Sequence, residues 1–209
     1  MILDFSNLSE GLSQSWEDLP NTTEKISSVI IPIFETESLG QGLILTQRSA
    51  HLKSHPGQIS FPGGVVDPTD SDLLQCALRE WEEEMGVSRN LLKILGRHEG
   101  LQTRTGFHIT PFLGMYTGDF EFSHNPDEVD RIILLPFSEL LSTPFYAIQI
   151  PGQPPDHFAY YFDLKDGLLW GATCEMILRF LREYASFNRK PELIKPNLST
   201  PPFLNPKLL

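Results

Sequence analysis

The stretch REWEEEMG, Arg79 to Gly86, constrains the chain most, because it sets four glutamates within five positions of a segment patterned as a helix. Like charges three and four apart on a helix repel by roughly 0.2–0.5 kcal/mol per pair, and a merely wet face would intersperse lysines. At about 100° per residue, Leu74, Ala77, Leu78, Trp81 and Met85 make an apolar stripe fit to pack on a sheet. Glu82 falls beside Gln75 on a solvent side. Glu80, Glu83 and Glu84 share a third surface, an arc of roughly 100°, and Arg79 can hold Glu83 through an i,i+4 ion pair. The spacing predicts a helix over 71–85. Asp70, Ser71 or Asp72 can cap its first turn, and Gly86 suits the left-handed position that ends it. Two readings of the acidic face stand: a solvated surface, or a place where a cation makes the crowding favourable.

The loop ahead of the helix favours the cation. FPGGVVDPTD sets Gly63 and Gly64 about one helix length before the acids, and paired glycines let backbone groups approach a ligand with no Cβ in the way. Mg²⁺ and Mn²⁺ are hard ions that take oxygen ligands, typically one or two carboxylates with substrate phosphates and water. Glu80, Glu83, Glu84, the Gly64 carbonyl and a bound diphosphate would make such a site. Glu83 or Glu84 then becomes the candidate general base on the helix. Glu128, in a loop-like stretch after Asn125-Pro126, is a second candidate base or ligand; its plainer reading is a surface acid beside Asp127 and Asp130.

A net charge of −11 and a pI near 4.9 argue against general affinity for nucleic acid or anionic membrane. An anionic ligand must therefore be met by local cations. Arg48, Lys53 and His55 precede the glycine loop and Arg104 sits in LQTRTGFHI; the plainer reading of each is a surface residue paired with one of the many acids. Cys76 and Cys174 lie in helical patterns without a CxxC companion, which predicts reduced, buried thiols of an intracellular protein. The first residues carry no basic n-region with an apolar run, PKLL is not a peroxisomal address, and no stretch approaches the ~20 apolar residues of a membrane span. A cytoplasmic protein is expected.

The 209 residues suit one substantial core. Strands are expected at SSVIIPIFE and GLILTQRS, a hairpin across TESLGQG, and at QISF, LLKILGRHEG and FHITPFLGMYT. VDRIILLPFSELL reads as strand then short helix, HFAYYFDLKDGLLW as a hairpin, and GATCEMILRFLREYASF as an amphipathic helix opened by Trp170. The remainder of the Gly/Pro-rich 54–70 stretch reads as loop. These elements predict an α+β fold with a mixed sheet between helices. The boundaries drawn are a polar lead-in over 1–27 with a short helix near LSEGLSQSW, a domain over 28–189, and an extended Pro-punctuated tail over 190–209.

The chain resembles Nudix hydrolases, whose signature is G-x5-E-x7-R-E-U-x-E-E-x-G-U with U aliphatic. Gly64, Arg79, Glu80, Trp81, Glu83, Glu84, Gly86 and Val87 fill their places. Asp70 stands at the first acidic position, separated from Arg79 by eight residues rather than seven, and Trp81 is large for its slot. ILTQRSAHLKSHPGQISFPGG is similar to the motif LLTxR[SA]x3Rx3Gx3FPGG of coenzyme A pyrophosphatases, matched at Thr46, Arg48, Ser49, Gly57, Phe61, Pro62, Gly63 and Gly64. Lys53 replaces its arginine, keeping the charge and losing the planar fork. NPDEV at 125–129 and WGATCEMIL at 170–178 resemble later stretches of that subfamily, so the likeness covers roughly residues 28–182.

The resemblance implies an α/β/α sandwich and Mg²⁺- or Mn²⁺-dependent hydrolysis of a nucleoside diphosphate derivative. For this subfamily the substrate would be CoA or acyl-CoA, giving 3′,5′-ADP and 4′-phosphopantetheine or its acyl form. Glu80, Glu83, Glu84 and Gly64 would hold metal, and Glu83, Glu84, Glu128 and Arg79 would serve catalysis. Arg48, Lys53, His55, Gly63 and Gly64 would line the substrate. Phe61 reads as core. A small-molecule partner is expected, with neither nucleic acid nor membrane, and a homodimer is left open. Rival readings are a Nudix enzyme for ADP-ribose, a nucleotide sugar or a dinucleoside polyphosphate; a non-catalytic Nudix-fold binding module; and an acidic cation-buffering protein without turnover.

Overall fold

The computed structural model describes residues 8, 12, 13, 25–103, 105–150, 153–155 and 157–194. These divide into two compact units, Met1–Leu141 and Ser142–Leu209. Most of the lead-in, Arg104 and most of the tail lie outside the described residues. Ser13, within the stretch expected as a short helix, instead exchanges backbone hydrogen bonds of 3.1 and 2.9 Å with Arg97 in an antiparallel bridge.

The first unit is organised by β1 (Lys25–Thr36), whose β-branched run lies at the centre of a mixed sheet. Three strands use its edges. The C-terminal half pairs antiparallel with β2 (Gly40–Arg48), across the turn expected from TESLGQG. Its other flank runs parallel to β7 (Phe107–Tyr116). The N-terminal half pairs antiparallel with β4 (Gly63–Val65) in the register Val29↔Gly63 and Ser28↔Gly64. Ile30 N–H donates to the Pro62 carbonyl at 2.9 Å. Pro32, two residues on, faces the same flank where β4 has ended and β2 has not begun, so its missing N–H breaks no pair.

The sheet is completed by β3 (Ile59–Ser60) and β8 (Val129–Pro136) on β2, and by β5 (Leu92–Arg97) and β6 (Leu101–Gln102) on β7. β8 leads directly into α2 (Phe137–Ser142). On the sheet packs α1 (Leu73–Met85), laying Leu73, Ala77, Leu78, Trp81 and Met85 against Ile30, Phe34, Ile44, Phe112 and Tyr116. The expected apolar stripe is thus the core face, and Trp81 is fully buried in it. Asp72 caps the helix, accepting from Gln75 N–H at 2.8 Å, and Gly86 ends it at φ 65°.

The second unit holds β9 (Phe145–Gln149), β10 (Phe158–Leu164), β11 (Gly167–Trp170), α3 (Gly171–Tyr184) and β12 (Glu192–Ile194). The sheet order is β11-β10-β9-β12. The β10–β11 hairpin and α3 lie where the sequence pattern places them, and Phe145 stacks on Phe162 at 4.7 Å between ring centres. Both cysteines are buried and free. Among the described residues no helix is long and apolar enough to cross a membrane.

Candidate active site

The glycine pair, expected as loop, is strand β4, wedged between β1 and α1. Gly63 adopts φ 151°, and a Cβ there would run into the Ser28 carbonyl and Val29. A Cβ on Gly64 would overlap the Glu80 carboxylate. One glycine therefore lets the strand close on the sheet, and the next lets a helix carboxylate close on the strand. Two further contacts tie β4 to α1: Gly63 N–H donates to Glu84 Oε2 at 3.2 Å, and Cys76 Sγ lies 3.7 Å from the Gly64 carbonyl. Burial pushes the Cys76 thiol up to about 12, so it stays protonated and can donate.

Arg79 organises the outer side. Its Nε and Nη2 grip Asp70 Oδ1 and Oδ2 at 2.9 and 3.0 Å, a bidentate pair with Asp70 almost wholly buried. Its Nη1 reaches Glu80 Oε1 and Glu83 Oε2, each at 2.9 Å, and Nη2 reaches the Val65 carbonyl at 3.3 Å. The i,i+4 pair to Glu83 is present as the spacing predicts. Asp70, whose changed spacing left its part open, is the arginine's anchor; hydrogen bonding to Arg79 holds its carboxyl below the usual range. On the solvent side Glu82 accepts from Arg89 Nε at 2.7 Å, and Arg89 Nη1 reaches Gln75 at 3.0 Å, which places Glu82 and Gln75 together as expected.

Glu84 points inward and is only 4% exposed. Burial first, then the Glu80 charge, pushes its carboxyl up to about 8; Glu128 adds to this, while Gly63 N–H and Arg48 oppose it. Burial likewise raises Glu80, with Arg79 opposing and Glu83 and Glu128 reinforcing. Glu80, Glu84 and Glu128 thus form one mutually repelling group. Arg48 closes it at the end of β2, with its Nε buried and without a hydrogen-bond partner among the described residues.

The structure therefore brings together Glu80, Glu84, Glu128, Arg48, Gly63 and Gly64. It turns Glu83 outward, 54% exposed and held by Arg79. Among the described residues, no three His, Cys, Asp or Glu side chains are grouped so as to hold a metal ion as they stand. Arg79 binds Glu80 and Glu83, while Gly63 N–H holds Glu84. Lys53 and His55 are exposed on the loop between β2 and β3, His55 at φ 54°. Phe61 is core. Two contributors stood out less in the sequence. The sequence marks Cys76 only as a buried thiol, and its helical spacing toward the glycine loop is the one signal of the Gly64 contact. Asn125 joins the Glu84 carbonyl to the Glu128 turn, and Asn-Pro before an acid was its signal.

The NUDIX domain model matches residues 24–159. The chain belongs to the Nudix family. This Nudix hydrolase is 37% identical over 136 residues to the uncharacterized Nudix hydrolase NudL of Photorhabdus laumondii, covering 65% of this chain and 73% of that one. With the uncharacterized Nudix hydrolase NudL of Yersinia pestis it shares 33% identity over 167 residues, 79% of this chain and 82% of the other. Among solved structures, the Nudix hydrolase RenU from M. smegmatis matches 85% of this chain and all of its own at TM-score 0.52 and 13% identity, a likeness of fold alone.

Proposed function

We propose that this Nudix hydrolase cleaves the diphosphate of CoA or acyl-CoA in a Mg²⁺- or Mn²⁺-dependent reaction. The products are 3′,5′-ADP and 4′-phosphopantetheine or its acyl form. The observation that carries the reading is the group of buried and half-buried, mutually repelling carboxylates against a glycine strand. Burial and neighbouring acids raise both Glu80 and Glu84 despite Arg79 and Arg48, and Gly64 lacks the Cβ that would push Glu80 away. An all-oxygen donor set of this kind fits a hard divalent ion. Glu80, Glu83 and Glu84, with the Gly64 carbonyl, would hold it. When bound, such an ion neutralises diphosphate oxygens and lowers the pKa of an attacking water.

The chain's own residues do the rest. Arg79 takes part by fixing Glu80 and Glu83 from a rigid seat on Asp70. Glu83, Glu84 or Glu128 accepts the proton of the water that adds to phosphorus as the anhydride P–O bond breaks. Arg48, with an unused buried donor, faces the diphosphate, and Lys53 and His55 serve the nucleotide end with its 3′-phosphate.

The helix grips only what all Nudix substrates share, so the preference for CoA rests on the residue pattern of 45–64. The test is product identification. CoA, ADP-ribose and a dinucleoside polyphosphate are incubated side by side with one preparation and Mg²⁺ or Mn²⁺. Release of 3′,5′-ADP from CoA at the highest kcat/KM supports the reading. Faster turnover of either other compound moves the enzyme to that substrate class, and turnover of none leaves a binding module.

A further inference from the structure

We propose that Asn125 is a positioning residue: the turn it builds carries Glu128 to the carboxylate group on α1 and holds it there. The inference rests on the proposed role of Glu128 as base or ligand. Glu128 belongs to no regular element and must be aimed by its connections. Asn125 supplies several of them, one through its side chain and the others through its main chain. Its N–H donates to the carbonyl of Glu84 on α1 at 3.1 Å, so the turn is bolted to a residue whose carboxyl feels the Glu128 charge. Its carbonyl accepts from the N–H groups of Glu128 and Val129 at 3.1 and 2.8 Å. Its Oδ1 accepts from Asp127 N–H at 3.1 Å. Asn with Pro at the next position is the pairing that initiates such a turn, since the side chain imitates a backbone acceptor and proline presets φ.

The far side is fixed independently. Ser49 N–H donates to the Glu128 carbonyl at 2.8 Å. β8 pairs with β2 as Gln47↔Arg131 and then Arg48↔Val129, so Asp130 is the extra residue of a bulge. That bulge sets Arg48 and Glu128 at the same end of the sheet. Glu128 is thereby held between α1 and β2, and its charge is felt at both Glu80 and Glu84. A second tie is Gly86: at φ 65° it lies so close to the Ser123 carbonyl that a Cβ would not fit.

Asn125 touches no reacting atom, so its effect must pass through Glu128, and a double-mutant cycle reads this. Asn125→Ala, Asn125→Asp, Glu128→Gln and the Asn125→Ala/Glu128→Gln pair are assayed with Mn²⁺. The substrate is whichever of CoA, ADP-ribose and diadenosine tetraphosphate the unaltered enzyme turns over fastest. Asn125→Ala should lower kcat about 10-fold or more with KM changed less than about twofold. Asn125→Asp, which keeps the Oδ acceptor, should recover most of that loss. In the Glu128→Gln background Asn125→Ala should cost nothing further. An equal loss in both backgrounds, or none in either, overturns the positioning role. Undiminished turnover by Glu128→Gln would instead remove Glu128 from the reaction, and the proposal with it.

Discussion

Glu84 shows what a buried carboxylate costs a fold. Its carboxyl is pushed up to about 8 from 4.5 by burial and neighbouring acids. An acid whose folded pKa is raised keeps its proton in the native state after the unfolded chain has lost it. Stability therefore falls as pH rises, beginning near 4.5 and levelling off above about 8, by roughly 1.4 kcal/mol per unit between. Glu84→Gln abolishes that slope while keeping an acceptor for Gly63 N–H. In chelator at pH 8 the variant should melt several degrees above the unaltered protein, with the gap closing toward pH 5, as thermal denaturation across pH will show. A variant less stable at every pH would mean that Glu84 is not destabilising where it lies. Arg79 is the counterpart: one guanidinium holds Asp70, Glu80 and Glu83, so the helix tolerates its charge on the outer side but not on the inner.

β4 and α1 are the elements that make the site, and the two glycines of β4 should fail in different ways. Gly63→Ala places a methyl against β1 backbone at φ 151°. It should destabilise by about 2–4 kcal/mol, measured by urea unfolding. Gly64→Ala meets first the end of the Glu80 side chain, which can swing aside. It should cost little stability and at least about 10-fold in kcat; the reverse ranking would refute this division of labour. Much of this architecture is legible in residue order. β1, β2, β5, β7, β8, the β10–β11 hairpin, α1 and α3 follow from runs of Val, Ile, Leu and Phe with the right period. β4 is not legible, because Gly63 and Gly64 carry no apolar side chain and pair with β1 only when the two are already close. β9 and β12 are likewise short strands recruited by their neighbours. The wheel places the Cβ of Glu83 beside Glu80 and Glu84, but the end of a three-carbon side chain goes where Arg79 draws it. Asp70 was marked by its place in the motif, and only the turn at 67–70 shows why an eight-residue spacing still reaches Arg79.

For the molecule as a whole, the excess of acid is the governing fact. With a net charge of −11, the far field repels any diphosphate, and binding falls to a few cations against that background. Arg79 and Arg89 are already engaged by acids. Among the described residues Arg48, at the end of β2, and Lys53, on the loop that follows it, are cations for which no acid partner is seen. If Lys53 meets the 3′-phosphate, Lys53→Gln should raise KM for CoA by about 10-fold and leave dephospho-CoA nearly unchanged, read by steady-state kinetics on the two substrates. Equal effects would assign Lys53 to the field alone. The charge balance also says where a divalent ion gains most: beside Glu80 and Glu84, whose carboxyls burial and neighbouring acids raise despite Arg79 and Arg48. Crystals grown with Mn²⁺ and a non-hydrolysable diphosphate analogue measure this directly by anomalous scattering. The account predicts a peak ligated by Glu80 and Glu84 beside the Gly64 carbonyl, with analogue oxygens completing the shell; a bound analogue with no peak there, and those carboxylates unchanged, would contradict it.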